Sequence, residues 1–216
     1  MRTPSTVPHL GALLHDTIER TKPGVQRLTL ACTQRGRVKV KSIVSPGALL
    51  RPDDFTRLSA ACTPTAVAWF DAAKAALGCN IREFTTQGVE VTPEAPALPL
   101  PSLHDEIAAC VYAAVPDTNW QRTVGLHISA RFPEHGATVR VQDMSGARRQ
   151  LPDADAWFDL RATLLTCVAR QRQLAALIQD IELDVYIDPP SAHDRARILA
   201  RQAARPHESM PAGSPA

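Results

Sequence analysis

The side chains best suited to proton chemistry come as a repeated pair: Leu14-His15-Asp16-Thr17-Ile18 returns, 89 positions on, as Leu103-His104-Asp105-Glu106-Ile107. An aspartate beside a histidine can orient an imidazole for acid–base work. Adjacent residues on a helix point about 100° apart, however, so His104 and Asp105 do not face each other as a dyad would. The pair reads as the polar flank of a helix that buries its Leu and Ile. A second tetrapeptide, Ala68-Trp69-Phe70-Asp71, returns as Ala156-Trp157-Phe158-Asp159. Aromatics of this kind can stack bases or sugars, but on an amphipathic helix they read first as the core anchor of their unit.

Other reactive types are present without a reactive pattern. The chain has no G-x-S-x-G elbow, no phosphate-cradling G-x-x-x-x-G-K-[ST] or G-x-G-x-x-G, and no H-E-x-x-H. Asp153, Asp155 and Asp159 cluster as a metal site would, yet aspartates in a first helical turn are already explained by capping and the helix dipole. The five cysteines, Cys32, Cys62, Cys79, Cys110 and Cys167, are odd in number and lack C-x-x-C spacing. That argues against zinc and against a disulfide framework, and it fits a reducing compartment. We expect no catalytic residue, no metal and no cofactor.

Charge supplies the candidate site. Arg35, Arg37, Lys39 and Lys41 occupy alternate positions of an expected strand, so a period of two puts four cations on one face. Such a face can dock an acidic partner or a phosphate backbone, and the absence of interleaved aromatics argues against nucleic acid. Glu182, Asp184 and Asp188 share a face of another strand and could pair with these cations inside the scaffold.

The elements that must carry these residues follow from periodicity. Leu10, Leu13, Leu14 and Ile18 form a helical stripe ended by Pro23-Gly24. Strands through Leu28–Cys32 and Val38–Val40 flank a Gln34-Arg35-Gly36 turn. A segment from Asp53 or Asp54 leads through Pro64 into a helix with Val67, Phe70 and Leu77, stopped by Gly78, and a weaker strand over 88–92 closes this unit. A second unit repeats the order: a helix with Leu103, Ile107, Val111 and Val115, a strand over 124–132, a hairpin partner at Val139 and Val141, a long helix from Asp153 or Asp155 to Ile178, and a strand over 181–187. The expected fold is α+β, two pseudo-repeats of helix, strand, strand, helix and strand, with antiparallel sheet or sheets and helices on one face. The division is 1–92 and 102–188 for the repeats, 93–101 for a proline-rich spacer of polyproline type, 189–205 for a basic helix capped by Ser191 and Asp194, and 206–216 for a disordered tail.

Composition bounds the class. Of 216 residues 44% are hydrophobic and 21% charged, enough for a packed core. No apolar run approaches the roughly 20 residues of a membrane span, and no export signal opens the chain, so we expect a cytoplasmic protein. The formal net charge is +2, but residues 1–95 hold 12 basic against 8 acidic side chains and residues 96–188 hold 8 against 12. Opposite signs suit two units docked on each other rather than a field that attracts nucleic acid.

Ile107-Ala108, Pro116, Trp120 and the alternating strand to Phe132 resemble the opening of the YezG-like immunity proteins of bacteria, over residues 103–188. The aromatic-rich last strands of that family are missing after Ile187. The resemblance implies a non-enzymatic protein that binds and neutralises a toxin. Together these readings give a protein-binding immunity or adaptor protein acting by surface occlusion, with Arg35, Arg37, Lys39 and Lys41 meeting another protein's acidic surface. The alternatives are an enzyme with His104 or His127 and a carboxylate between the repeats, and a nucleic-acid-binding protein using the basic strand with Arg195, Arg197, Arg201 and Arg205.

Overall fold

The computed structural model describes residues 6–86, 88–133, 136–194, 196 and 200. Seven strands make one antiparallel sheet. Six of them run across it in the order β3 (Val38–Val44), β2 (Arg27–Thr33), β4 (Asn80–Thr85), β9 (Asp180–Ile187), β7 (Val124–Arg131) and β8 (Thr138–Asp143). The seventh, β5 (Val89–Glu90), pairs with the start of β2. The fold is α+β, as expected, with these seven strands in a single sheet.

Helices cover one face only. Along β9 the side chains of Ile181, Leu183, Val185 and Ile187 are buried while those between them are not, the alternation of a sheet packed on one side. Against that inner face lie α1 (Leu10–Thr21), α2 (Pro52–Leu77), α3 (Leu103–Ala114) and α5 (Ala154–Ala169), all contributing to one continuous core. The order α1-β2-β3-α2-β4 is followed by α3-β7-β8-α5-β9, and the two runs meet where β4 pairs with β9.

Local chemistry sets the boundaries. His9 opens α1, its Nδ1 accepting from Gly11 N at 3.2 Å. Pro52 stands at the start of α2, where its missing N–H costs nothing. Pro64 lies inside this 26-residue helix without ending it. Gly78 ends it in the left-handed region at φ 70°, and a Cβ there would stand 3.1 Å from the Cβ of His104, so only glycine suits the corner. Asp153 caps α5 by accepting from Ala156 N at 2.8 Å.

Several expectations need correction. The strand closing the first run is β4, not a strand over 88–92, of which only Val89–Glu90 is extended. In β4 the register shifts between Ile81 and Glu83, so Arg82 is an extra residue, and Ile81 and Phe84, three apart, both face inward. The long helix from Asp153 stops at Ala169, and α6 (Arg172–Leu177) follows it. Between them Gln171 turns inward and its Nε2 donates to the Glu106 carboxylate on α3. The proline-rich stretch between the two runs is tied down near its end: β6 (Leu98–Pro99) pairs with β1 (Thr6–Val7), and Leu100 is buried. A short helix, α4 (Ala147–Gln150), was not foreseen, its first amides bound by Asp143. The two aromatic tetrapeptides also differ. Trp69, Phe70 and Trp157 are core, but Phe158 is 61% exposed. Ser191 accepts from Asp194 N at 3.1 Å and Ala192–Asp194 are helical, while most of the expected basic helix and all of the tail lie outside the described residues.

Candidate functional site

The four cations do not share one strand. Lys39 and Lys41 lie on β3; Arg37 precedes it and Arg35 sits in the turn. The chain reverses sooner than alternation implies, because Gly36 takes φ 70° and its amide bonds Thr33 O at 2.8 Å. All four are exposed, and none forms an ion pair among the described residues. Lys41 stands where β2 and β3 slip register, at the bulge.

The helix-free face joins these cations to residues the sequence left apart. Thr33 N donates to Arg37 O at 3.0 Å, which sets Arg37 opposite Thr33. From there the register runs Thr33 to Glu83, Glu83 to Glu182, Glu182 to Ser129 and Ser129 to Arg140. One row across all six strands therefore reads Arg37, Thr33, Glu83, Glu182, Ser129, Arg140, the same from either end in its charges. Neither Glu83, Glu182 nor Arg140 has an ion-pair partner among the described residues. The next row reads Lys39, Ala31, Thr85, Asp180, Arg131, Thr138. There Arg131 Nε is 2.8 Å from Asp180 Oδ1.

Short side chains in these rows, Thr85, Ser129 and Thr138 among them, border a trough. One concavity of about 510 Å³ is bordered by Lys41, Glu83, Thr85, Ser129, Arg131, Arg140 and Glu182, and a second of about 550 Å³ by Arg27, Thr29, Lys41 and Val44. The two share Lys41, Thr85 and Asp180, so they form a continuous shallow depression. The lining here is polar and charged, which suits a partner's surface better than an apolar ligand.

The imidazoles stand elsewhere. His127 Nδ1 is 2.9 Å from Asp184 Oδ1, and Arg82 Nε is 3.5 Å from Asp184 Oδ2. This ties β7, β9 and β4 together, and His127 borders neither concavity. The arrangement orients the imidazole without bringing it to either concavity. His104 Nε2 lies 3.2 Å from Tyr186 O, and His15 Nδ1 is buried without a hydrogen-bond partner among the described residues. Neither histidine is brought to His127 or to the trough. Asp184 and Asp188 do not meet the basic end of the sheet: Asp188 Oδ1 accepts from Thr123 Oγ1 at 2.6 Å. The expected internal pairing of the two charged faces is not formed among the described residues. Arg195, Arg197, Arg201 and Arg205 lie outside them.

Among the described residues no group of three His, Cys, Asp or Glu side chains is placed to hold a metal ion, and no helix is long and apolar enough to cross a membrane. All five cysteines are free. Burial pushes Cys32 and Cys62 up to about 11 and Cys79 to about 12. Cys110 and Cys167 meet between α3 and α5. Their mutual hydrogen bond holds the Cys110 thiol below its usual range and pushes Cys167 well above it. A thiol-reactive disulfide reagent at pH 8 is therefore expected to modify Cys110 first, with Cys32, Cys62 and Cys79 reacting only after denaturation. Fast native reaction of those three would mean that the core opens readily.

No protein-family model, no curated protein and no solved structure matches this chain.

Proposed function

We propose that the protein acts by binding another protein on the helix-free face of its sheet, as a non-catalytic immunity or adaptor protein that occludes part of its partner. The observation that carries this reading is a set of exposed charges without counter-ions among the described residues, Arg35, Arg37, Lys39 and Lys41, at one end of an open sheet face. A scaffold tends to pair such charges or to spread them; a docking face keeps them for its partner. The resemblance of residues 103–188 to YezG-like immunity proteins points the same way. The matching element orders of the two halves fit a duplication of one unit, with the binding face spanning both copies.

The cations would act first on encounter, steering an acidic surface toward the sheet, and then on the lifetime of the complex. The test begins with affinity capture from the native host at low salt. Binding of the recovered partner is then measured for the native chain and for R37E/K39E. We expect the double reversal to weaken binding about tenfold or more at low salt, with the gap narrowing as salt rises. Equal affinity at every salt concentration would remove these residues from the interface.

A further inference from the structure

The row that crosses the sheet is more specific than a basic edge. Glu83 and Glu182 lie directly opposite each other where β4 pairs with β9, and among the described residues no cation forms an ion pair with either of them. Like charges directly across a strand pair are unfavourable. A local rule broken without internal compensation marks a place kept for something outside the fold. On each side, two strands away, stands an arginine without an ion pair among the described residues, Arg37 beyond Thr33 and Arg140 beyond Ser129. At about 4.8 Å per strand, each arginine backbone lies roughly 12 Å from the midpoint of the two glutamates.

We propose that this row recognises a segment of a partner protein carrying one basic side chain flanked by acidic ones: the base is held between Glu83 and Glu182, and the acids meet Arg37 and Arg140. This rests on the reading that the helix-free face binds protein, and it names the chemistry of what is bound. Charge complementarity selects the occupant. A second copy of this chain, turned face to face about an axis along the row or across it, would set glutamate over glutamate and arginine over arginine. A purely acidic surface would satisfy the arginines and be repelled at the centre. A segment lying across the strands satisfies all four charges, and the small side chains of Thr33 and Ser129 leave it room. An extended chain advances about 3.3 Å per residue, so the acids fall three or four residues to either side of the base.

The test pans a displayed random-peptide library against the native chain and against an unrelated folded protein. Enriched sequences are expected to carry a central Lys or Arg with Asp or Glu three or four places away on both sides. A synthetic peptide of the enriched sequence is then compared with one bearing norleucine at the centre. The native chain is expected to bind the norleucine peptide about tenfold more weakly, and E83Q/E182Q to bind both alike. Circular dichroism keeps this readable, since E83Q/E182Q removes a repulsion and should melt no lower than the native chain. Enrichment of acidic sequences without a central base, a central preference that survives in E83Q/E182Q, or no enrichment over the unrelated protein would each overturn the proposal. Acidic peptides that lose binding to R37E/K39E would do so while leaving the cationic docking reading intact.

Discussion

Replacing Phe84 by alanine is expected to destabilise the protein by about 3–5 kcal/mol, the range for removing a fully buried aromatic ring. Phe84 is 1% exposed and lies between two rings of α2, with centroids 5.4 Å from Trp69 and 4.9 Å from Phe70. Trp69 cannot swing freely into the vacated space, because its Nε1 donates to Pro8 O at 2.8 Å and collapse would break that bond. The cavity would open under β4, which joins the two runs of the fold by pairing with both β2 and β9. Urea unfolding of the variant should show a lower midpoint at unchanged slope. A loss below about 1.5 kcal/mol would mean that α2 settles onto the sheet and fills the gap. The ring also bears on the proposed site. Glu83 is its neighbour in the chain and points to the other face, so a strand loosened at Phe84 no longer holds the glutamate pair in register. Weakened partner binding by this buried substitution, at temperatures where the variant is still folded, is the consequence to look for.

The same strand shows where sequence reading stops. Elsewhere in the sheet the pattern is legible: Val124, Leu126, Ile128 and Ala130 alternate without interruption, and all four are buried on one face of β7. In β4 the bulge at Arg82 sets the two inward residues three apart, which resembles neither a strand nor a helix over six positions. Missing β4 hid Glu83, and with it half of the glutamate pair. Glu182 was legible as a polar position on a strand, but its partner across the sheet is 99 residues away in sequence, and register between distant strands is set by packing that no local pattern records. The alternation of Arg37 and Lys39 is local and legible, while the turn at Gly36 leaves no mark on it, so the pattern alone extends the strand back through Arg37 to Arg35. The break between α5 and α6 has a similar origin. Leu164, Val168, Leu174 and Ile178 can be threaded on one helix only by passing over Gln171, and its inward turn depends on Glu106 of α3.

Replacing Asp54 by asparagine is expected to lower the melting temperature at pH 7 by about 2–8 °C, the effect of losing a charged cap in a chain of this size. Asp54 is 1% exposed at the third position of α2, and its carboxylate accepts from Arg51 N at 2.9 Å. Lys22 Nζ stands 3.0 Å away and Arg57 2.7 Å away. The Arg51 amide first, and then Lys22, hold this carboxyl down at about 2. An unfolded aspartate titrates near 3.9, so the folded state prefers the ionised form. Its contribution is complete above about pH 5 and is lost as the pH falls through 4 toward 2. The gap in melting temperature between the native chain and D54N should therefore be constant from pH 7 to about 5 and shrink below pH 4. A gap that persists unchanged at pH 2 would show that asparagine fails by shape or hydrogen bonding and that the charge contributes little. Lys22 also donates to Leu49 O at 3.1 Å, so the carboxylate anchors the loop leading from β3 into α2 as well as the helix start. Because β3 carries Lys39 and Lys41, loosening at Asp54 should be felt at the basic end of the docking face before the sheet itself opens.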